Sequence, residues 1–327
     1  MKVVFAYADA PHEYNTSVWR CFIPGQCLNL IEGYEIEFVH TSELDNVHAD
    51  AVVIERQFFA PVVHYNVHRL KKEGARVIGT FDDAYHLMPD YVRSKPNWNE
   101  KNLAMFRNCL RFFDVVIVPS ELLAEDYRRY CKEIRVVKNY CDGLLYEGLK
   151  HKPDKNNLVR LFYGGNDTHA HSIQESGLLP DLQRLFDKYP NAVLYAVGTE
   201  RVTDLFLGAL PAGRVSSQGW MPVDCWPSFV AEHADIILAP LSGEYDRRRS
   251  SIKANDSAML RIPMVATDLE PYRGTGAKLV ANTEKEWYNA LSDLVYSEYA
   301  RYTLGKKIAK VMQDVTINGN IQVYEEL

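Results

Sequence analysis

The chain has 327 residues, 47% of them hydrophobic and 24% charged, with a formal net charge of −6 at pH 7. That length favours two domains of about 150 residues each, and the acidic balance argues against a nonspecific nucleic-acid coat while leaving room for a local basic groove. No stretch approaches the roughly 20 apolar residues of a membrane helix, and the opening MKVVFAYADAPHE has too brief an apolar run for a signal peptide, so a cytoplasmic protein is expected.

In chain order, residues 3–7, 36–39, 51–54, 76–81, 115–118 and 134–137 read as strands. Most are rich in Val and Ile with few charges, as strands buried on both faces should be. Helical patterns lie between them at 17–31, 62–72, 101–111 and 120–130, the last opened by Ser120 as N-cap after Pro119 stops the strand. The polar, proline-containing run KHKPDKNN at 150–157 reads as a linker. Beyond it the alternation restarts, with strands at 159–163, 192–197, 236–239 and 264–267 and helices at 174–188, 223–232 and 251–260. Residues 284–310 read as two amphipathic helices carrying Tyr296, Tyr299 and Tyr302.

Alternating β and α segments imply parallel sheets with right-handed crossovers. The expected fold class is therefore α/β, two doubly wound Rossmann-like domains facing a cleft, with ligands at the carboxyl ends of the strands. The expected division is 1–149, a linker at 150–157, 158–300, and a helical segment 301–327. The six cysteines form no close pair and read as buried free thiols. His64 and His68 lack a third partner for a metal and read as surface or packing residues.

Four short segments carry candidate chemistry. FYGGN, with Gly164 and Gly165 at a strand-to-helix turn, lets the backbone approach a ligand, though Gly-Gly is also a common turn. Neither GxGxxG nor a P-loop sequence is present. QGWMP offers Gly219 and the apolar Trp220 and Met221 as a wall beside a nucleotide base, or simply a turn anchored by a tryptophan. In YDRRRSSIKAND, a helix opening near Ser250 or Ser251 puts Arg249 and Lys253 four apart on one face, with Asp256 three beyond. Two such cations neutralise a diphosphate without a metal. In TFDDAYH, Asp82 and Asp83 at a strand's end are placed to orient an acceptor hydroxyl or stabilise positive charge on a sugar; helix capping and Mg²⁺ binding are the other uses of such a pair.

These segments together resemble the GT-B glycosyltransferases, in particular the "group 1" family of retaining, metal-independent enzymes. DVVIVPSELLAEDY, VVKNYCD, FYGGN, ADIILAPL and RRRSSIKANDSAMLRIPMVATD carry the resemblance over about 115–273, and GARVIGTFDDAYHLMP extends it into the first half. The resemblance implies that Arg249 and Lys253 flank a donor diphosphate, that Asp256 binds the nucleotide ribose, and that Asp82 stands where many members have a catalytic-site histidine. Three departures accompany it. Asp256 replaces a glutamate. Arg248 occupies the first acidic position, leaving Glu244 or Asp246 to contact the donor sugar. The arginine and lysine that commonly follow the glycine turn are absent, leaving Thr168, His169 or His171 in their place.

The expectation is a hexosyltransferase that uses a nucleotide-diphosphate sugar, UDP-linked by preference, as co-substrate, with no other cofactor and no metal. Gly219, Trp220 and Met221 would take the base; Gly164, Gly165, Arg249 and Lys253 the diphosphate; and Asp256 the ribose. Tyr14, Asn15, Thr16, Arg20 and Asp83 would meet the acceptor, a glycan, lipid-linked sugar or small molecule. Two alternatives stand beside it: an enzyme acting on hydroxymethylated bases in DNA, with Arg247–Arg249 on the backbone, and a non-catalytic nucleotide-sugar-binding protein.

Overall fold

Val- and Ile-rich runs have no solvent-facing side to pay for with polar residues, so they pair as interior strands between helical layers. The computed structural model describes residues 1–9, 15–56 and 61–326. Its first half runs β1 (Lys2–Tyr7), a π-helical turn (Val18–Phe22) leading into α1 (Ile23–Leu28), β2 (Glu35–His40), β3 (Ala51–Glu55), α2 (Pro61–Lys72), β4 (Arg76–Thr80), α3 (Glu100–Cys109), β5 (Val115–Val118), α4 (Glu121–Tyr127) and β6 (Ile134–Val136). The six strands form one parallel sheet in the order β2-β1-β3-β4-β5-β6.

The second half begins with β7 (Val159–Gly165), α5 (Ala170–Glu175), α6 (Leu178–Lys188), β8 (Ala192–Gly198), α7 (Glu200–Ala209), β9 (Val215–Gln218) and α8 (Trp226–His233). It continues with β10 (Ile236–Ala239), α9 (Gly243–Asp246), α10 (Ile252–Leu260), β11 (Met264–Thr267), β12 (Lys278–Val280), α11 (Glu286–Tyr296), α12 (Glu298–Val311) and α13 (Gln322–Glu325). Its parallel sheet has the order β12-β11-β10-β7-β8-β9. Two doubly wound, Rossmann-like domains result, as the alternation implies.

Several elements depart from the sequence reading. The helix expected over 174–188 is two helices, because Gly177 takes a left-handed φ of 74° between α5 and α6. The segment 17–31 contributes only a π-helical turn and a six-residue α1. β9 and β12 are edge strands, one polar and one of three residues, so neither shows the apolar run that marks interior strands. Ser120 does cap α4, accepting from the Leu123 N–H at 3.4 Å.

Residues 150–157 do not form a free tether. His151 Nε2 bonds Asp235 at 2.6 Å, and the buried Arg160 pairs with the same carboxylate at 2.9 Å while donating to the carbonyls of Lys152 and Glu232. The chain recrosses near its end. The Cys141 N–H donates to Val315 O and the Ile317 N–H to Cys141 O, both at 2.9 Å, and Tyr324 lies 6.5 Å from Phe5. Helix α12 itself stays on the second domain: a Cβ at Gly305 would stand 2.0 Å from the Arg261 carbonyl oxygen. The return to the first domain thus starts after Val311, not at residue 301. One apolar cluster runs from Phe5 and Ile117 through Tyr146 and Tyr324 to Trp226 and Ala258, joining the domains. No helix among the described residues is long and apolar enough to cross a membrane.

All six cysteines are free thiols; four are buried, Cys131 is half-buried and Cys225 is exposed. His64 and His68 pack edge-on against Phe112, at 6.4 and 4.9 Å. Burial alone would raise the Asp235 carboxyl, but hydrogen bonds from Arg160 and His151 outweigh it and hold it well below the usual range. A carboxyl depressed in this way adds stability above its unfolded pKa of about 4 and loses it as the pH falls. Asp235→Ala, which strands the buried Arg160 charge, should cost about 3–5 kcal/mol in urea unfolding at pH 7. The gap from wild type should narrow only below about pH 4; a loss under 1 kcal/mol would contradict this role for the pair.

Candidate functional site

The carboxyl ends of both sheets open onto one cavity of about 320 Å³. From the first domain come Asn15, Thr16, Trp19, Arg56, Asp82 and Asp83. From the second come Gly164, Gly165, Thr168, His169, Trp220, Trp226, Arg249, Lys253 and Asp256, among others. Ten of the expected site residues therefore converge there. Gly219 and Met221 flank Trp220 without lining the cavity, and Tyr14 lies outside the described residues.

Arg249 is the most constrained of these side chains. Its Nε donates to Asp246 at 2.8 Å, Nη2 to the Thr168 hydroxyl at 2.8 Å, and Nη1 to His169 Nε2 at 3.0 Å. Its guanidinium also lies 5.0 Å from the Tyr245 ring. Burial opposes its charge, but Tyr245, Asp246 and Asp83 more than offset that, so it stays a cation. Three of its five N–H donors are engaged and two remain.

Lys253, one turn into α10, has no carboxylate within 4 Å of its ammonium among the described residues. Its nearest recorded partner is the Tyr163 ring, 5.4 Å away. Burial, reinforced by Arg249, lowers its pKa to about 8 against the weaker pull of Asp246 and Asp256. Asp256 is buried, accepting from Tyr146 Oη at 2.5 Å and Trp226 Nε1 at 3.1 Å. Burial pushes its carboxyl up to about 6 despite those bonds and Lys253. Each oxygen keeps a lone pair for a further donor.

The glycines are required by packing as well. A Cβ on Gly164 would stand 2.3 Å from the Trp226 ring, and one on Gly165 2.4 Å from the Tyr163 hydroxyl. Their small size thus has a structural cause even though both line the cavity.

On the facing wall, Asp82 accepts from the Thr16 hydroxyl at 2.7 Å, and its other oxygen is buried without a hydrogen-bond partner. Asp83 accepts from Tyr245 Oη at 2.8 Å, a bond between domains, and burial next to Asp82 pushes its carboxyl up to about 6. Arg56, left-handed at φ 48°, ion-pairs with Asp9 and Glu55 at the same rim. Arg20 is elsewhere: wholly buried, it donates to Thr80, Val137 O and Asn139 at 2.8, 2.6 and 3.0 Å, and presents no surface to a ligand.

The other two arginines of the run are used differently. Arg247 pairs with Glu244 and Glu270, and Arg248 pairs with Glu244 and, across the domains, with Asp126 at 2.8 Å. Asp246 is buried on Ser172, Ser242 N and Arg249, and Glu244 is exposed; neither lines the cavity. His171 stacks on Tyr91 of the first domain at 4.2 Å. Sequence reasoning missed Tyr146, Trp226, Tyr245 and Arg56, which carry no local motif and reach the site only through folding. Among the described residues no cluster of His, Cys, Asp and Glu has the arrangement of a metal site.

No family model matches the chain, and no curated protein matches it in sequence. Solved structures do match in shape. Sucrose-phosphate synthase from Thermosynechococcus elongatus superposes with a TM-score of 0.70 at 13% identity, over 99% of this chain and 98% of that one. A structure described as trehalose-6-phosphate from E. coli bound with UDP-2-fluoro glucose gives 0.66 at 10% identity, over 100% and 98%. An S. aureus TarM mutant in complex with fondaparinux, alpha-GlcNAc-glycerol and UDP gives 0.64 at 12%, over 88% of this chain and 57% of TarM. The architecture is the GT-B fold, two Rossmann-like domains facing a cleft.

The raised Asp256 carboxyl has a consequence for stability. A carboxyl whose folded pKa exceeds its unfolded value adds stability below the unfolded pKa and loses it as pH rises through the folded one. Between pH 4.5 and 7.5 wild type should therefore lose up to about 2 kcal/mol that Asp256→Asn does not lose. Thermal unfolding of both proteins at the two pH values checks this; parallel pH profiles would refute a strained, buried Asp256 carboxylate.

Proposed function

We propose that the protein transfers a hexose-type sugar from a nucleotide-diphosphate sugar, UDP-linked by preference, to an acceptor hydroxyl. The observation that carries this reading is the unpaired Lys253 ammonium beside the two free N–H groups of Arg249, facing Asp82 across one interdomain cavity. A diphosphate against Gly164 and Gly165 would meet both cations, and the ribose would donate to Asp256. The base would lie against Trp220, with Gly219 and Met221 beside it.

The acceptor would enter from Asn15, Thr16, Asp82 and Asp83. Its oxygen forms the new bond to the anomeric carbon as the bond from that carbon to the diphosphate oxygen breaks. The bonding electrons pass to the diphosphate, where Arg249 and Lys253 stabilise the charge. The acceptor proton passes to the departing phosphate oxygen, and Asp82 orients the hydroxyl or stabilises positive charge on the sugar. The family resemblance supports retention of configuration, and the two cations do the work that a metal does in other enzymes. Free thiols at all six cysteines fit a reducing, cytoplasmic setting.

A non-catalytic nucleotide-sugar-binding protein is the second reading. It is favoured by Arg248, which stands at the first acidic position and serves an ion pair between domains. The DNA-directed reading has lost its main support, because Arg247 and Arg248 both carry carboxylate partners. A donor screen that follows release of the nucleotide diphosphate separates transfer or slow hydrolysis from binding alone.

Two substitutions test the assignment. Lys253→Ala should lower turnover on the order of 10²-fold or more, as loss of a preorganised charge contact does; near-normal transfer would remove Lys253 from the site. Asp82→Asn should leave donor affinity intact in calorimetry while transfer falls. Unchanged transfer would reduce Asp82 to a hydrogen-bond partner of Thr16.

A further inference from the structure

The Arg249 guanidinium meets three different acceptors, and two of them are neutral. The Thr168 hydroxyl lies 2.5 Å from Asn166 Oδ1, and Asn166 Oδ1 also accepts the Thr168 N–H at 3.1 Å. Because that oxygen only accepts, the hydroxyl hydrogen points to Asn166 and the Thr168 lone pairs face Arg249 Nη2. An arginine has no acceptor, so His169 Nε2, 3.0 Å from Arg249 Nη1, must offer a lone pair. The ring is then neutral with its proton on Nδ1, which is buried and has no hydrogen-bond partner. Burial, Arg249 and Lys253 all disfavour the charged ring.

We infer that Asn166, Thr168 and His169 are positioning residues that aim Arg249: they fix the plane of its guanidinium so that its two remaining N–H groups face the anionic part of the ligand. A single carboxylate, Asp246, would leave the fork free to turn about one contact. Three acceptors on three nitrogens leave one orientation, and using neutral groups for two of them avoids cancelling the charge further. A protonated His169 would both lose the contact and add a repelling cation. This inference rests on the donor-site reading above for the identity of the anion.

The test uses the whole protein with inorganic pyrophosphate and UDP as probes. Nitrogen-15 correlation spectra of wild type at pH 7 should show His169 as the neutral Nδ1–H tautomer; an Nε2–H tautomer or an imidazolium overturns the inference. In calorimetry, His169→Asn, whose amide reaches only the Nδ1 position, should weaken both probes about ten-fold, the scale of a charge-assisted hydrogen bond. His169→Gln places an amide oxygen near the Nε2 position and should recover most of that loss. Equal loss in both variants, no loss in either, or loss confined to Gln overturns the positioning role. Should His169→Asn fail to fold, Thr168→Val removes the second neutral acceptor and should weaken both probes in the same direction; unaltered affinity overturns the inference. Wild type that binds neither probe defeats the donor-site reading itself, whereas wild-type binding with no His169→Asn penalty defeats only this inference.

Discussion

A guanidinium held away from water needs its charge and its N–H groups met by the protein, and Arg249 meets that demand with elements that are far apart in the chain. Asp246 at the end of α9 takes Nε, and the turn after β7 supplies Thr168 and His169 for the other two nitrogens. Tyr245, under the guanidinium, passes on to Asp83 of the first domain. One buried cation thus ties the glycine turn, the segment before α10 and the opposite domain to a single geometry. The unpaired Lys253, one turn further along, lies in the field of that arrangement, which is part of why its charge is held less firmly.

The same short segment also joins the domains. Arg248 pairs with Asp126, its carbonyl accepts from Ser120, and Ser250 accepts from Asn139, while His171 stacks on Tyr91. Contacts that shape the cavity and contacts that hold the domains together therefore alternate along residues 245–250. Opening the cleft must disturb Tyr245 and Arg248, so cleft geometry and cation placement are coupled through adjacent residues rather than through a long path.

The α/β alternation was legible because interior parallel strands must be apolar on both faces, a demand that leaves a mark in every one of β3, β4, β5, β10 and β11. The edge strands β9 and β12 left no such mark. Within the site, the spacing of Arg249, Lys253 and Asp256 carried the correct grouping, because residues three and four apart share a helix face. The three arginines did not behave as one basic patch: each found a different carboxylate, and only Arg249 faces the cavity. Arg20 was placed on the acceptor side by its position after Thr16, whereas its hydrogen bonds to Thr80, Val137 and Asn139 make it a brace behind the first sheet.

Sequence by itself determined the class of fold, the two-domain order and the kinds of residue available at the strand ends, since periodicity, turn chemistry and spacing are local properties. Only the tertiary structure decided which of those residues face one another. It set Tyr146 and Trp226 on Asp256, Tyr245 on Asp83, and Arg248 on Asp126 instead of in the cavity. The reason is physical: charge pairing and burial depend on distances between segments up to 162 residues apart, and no local pattern encodes which partner a charged side chain reaches first.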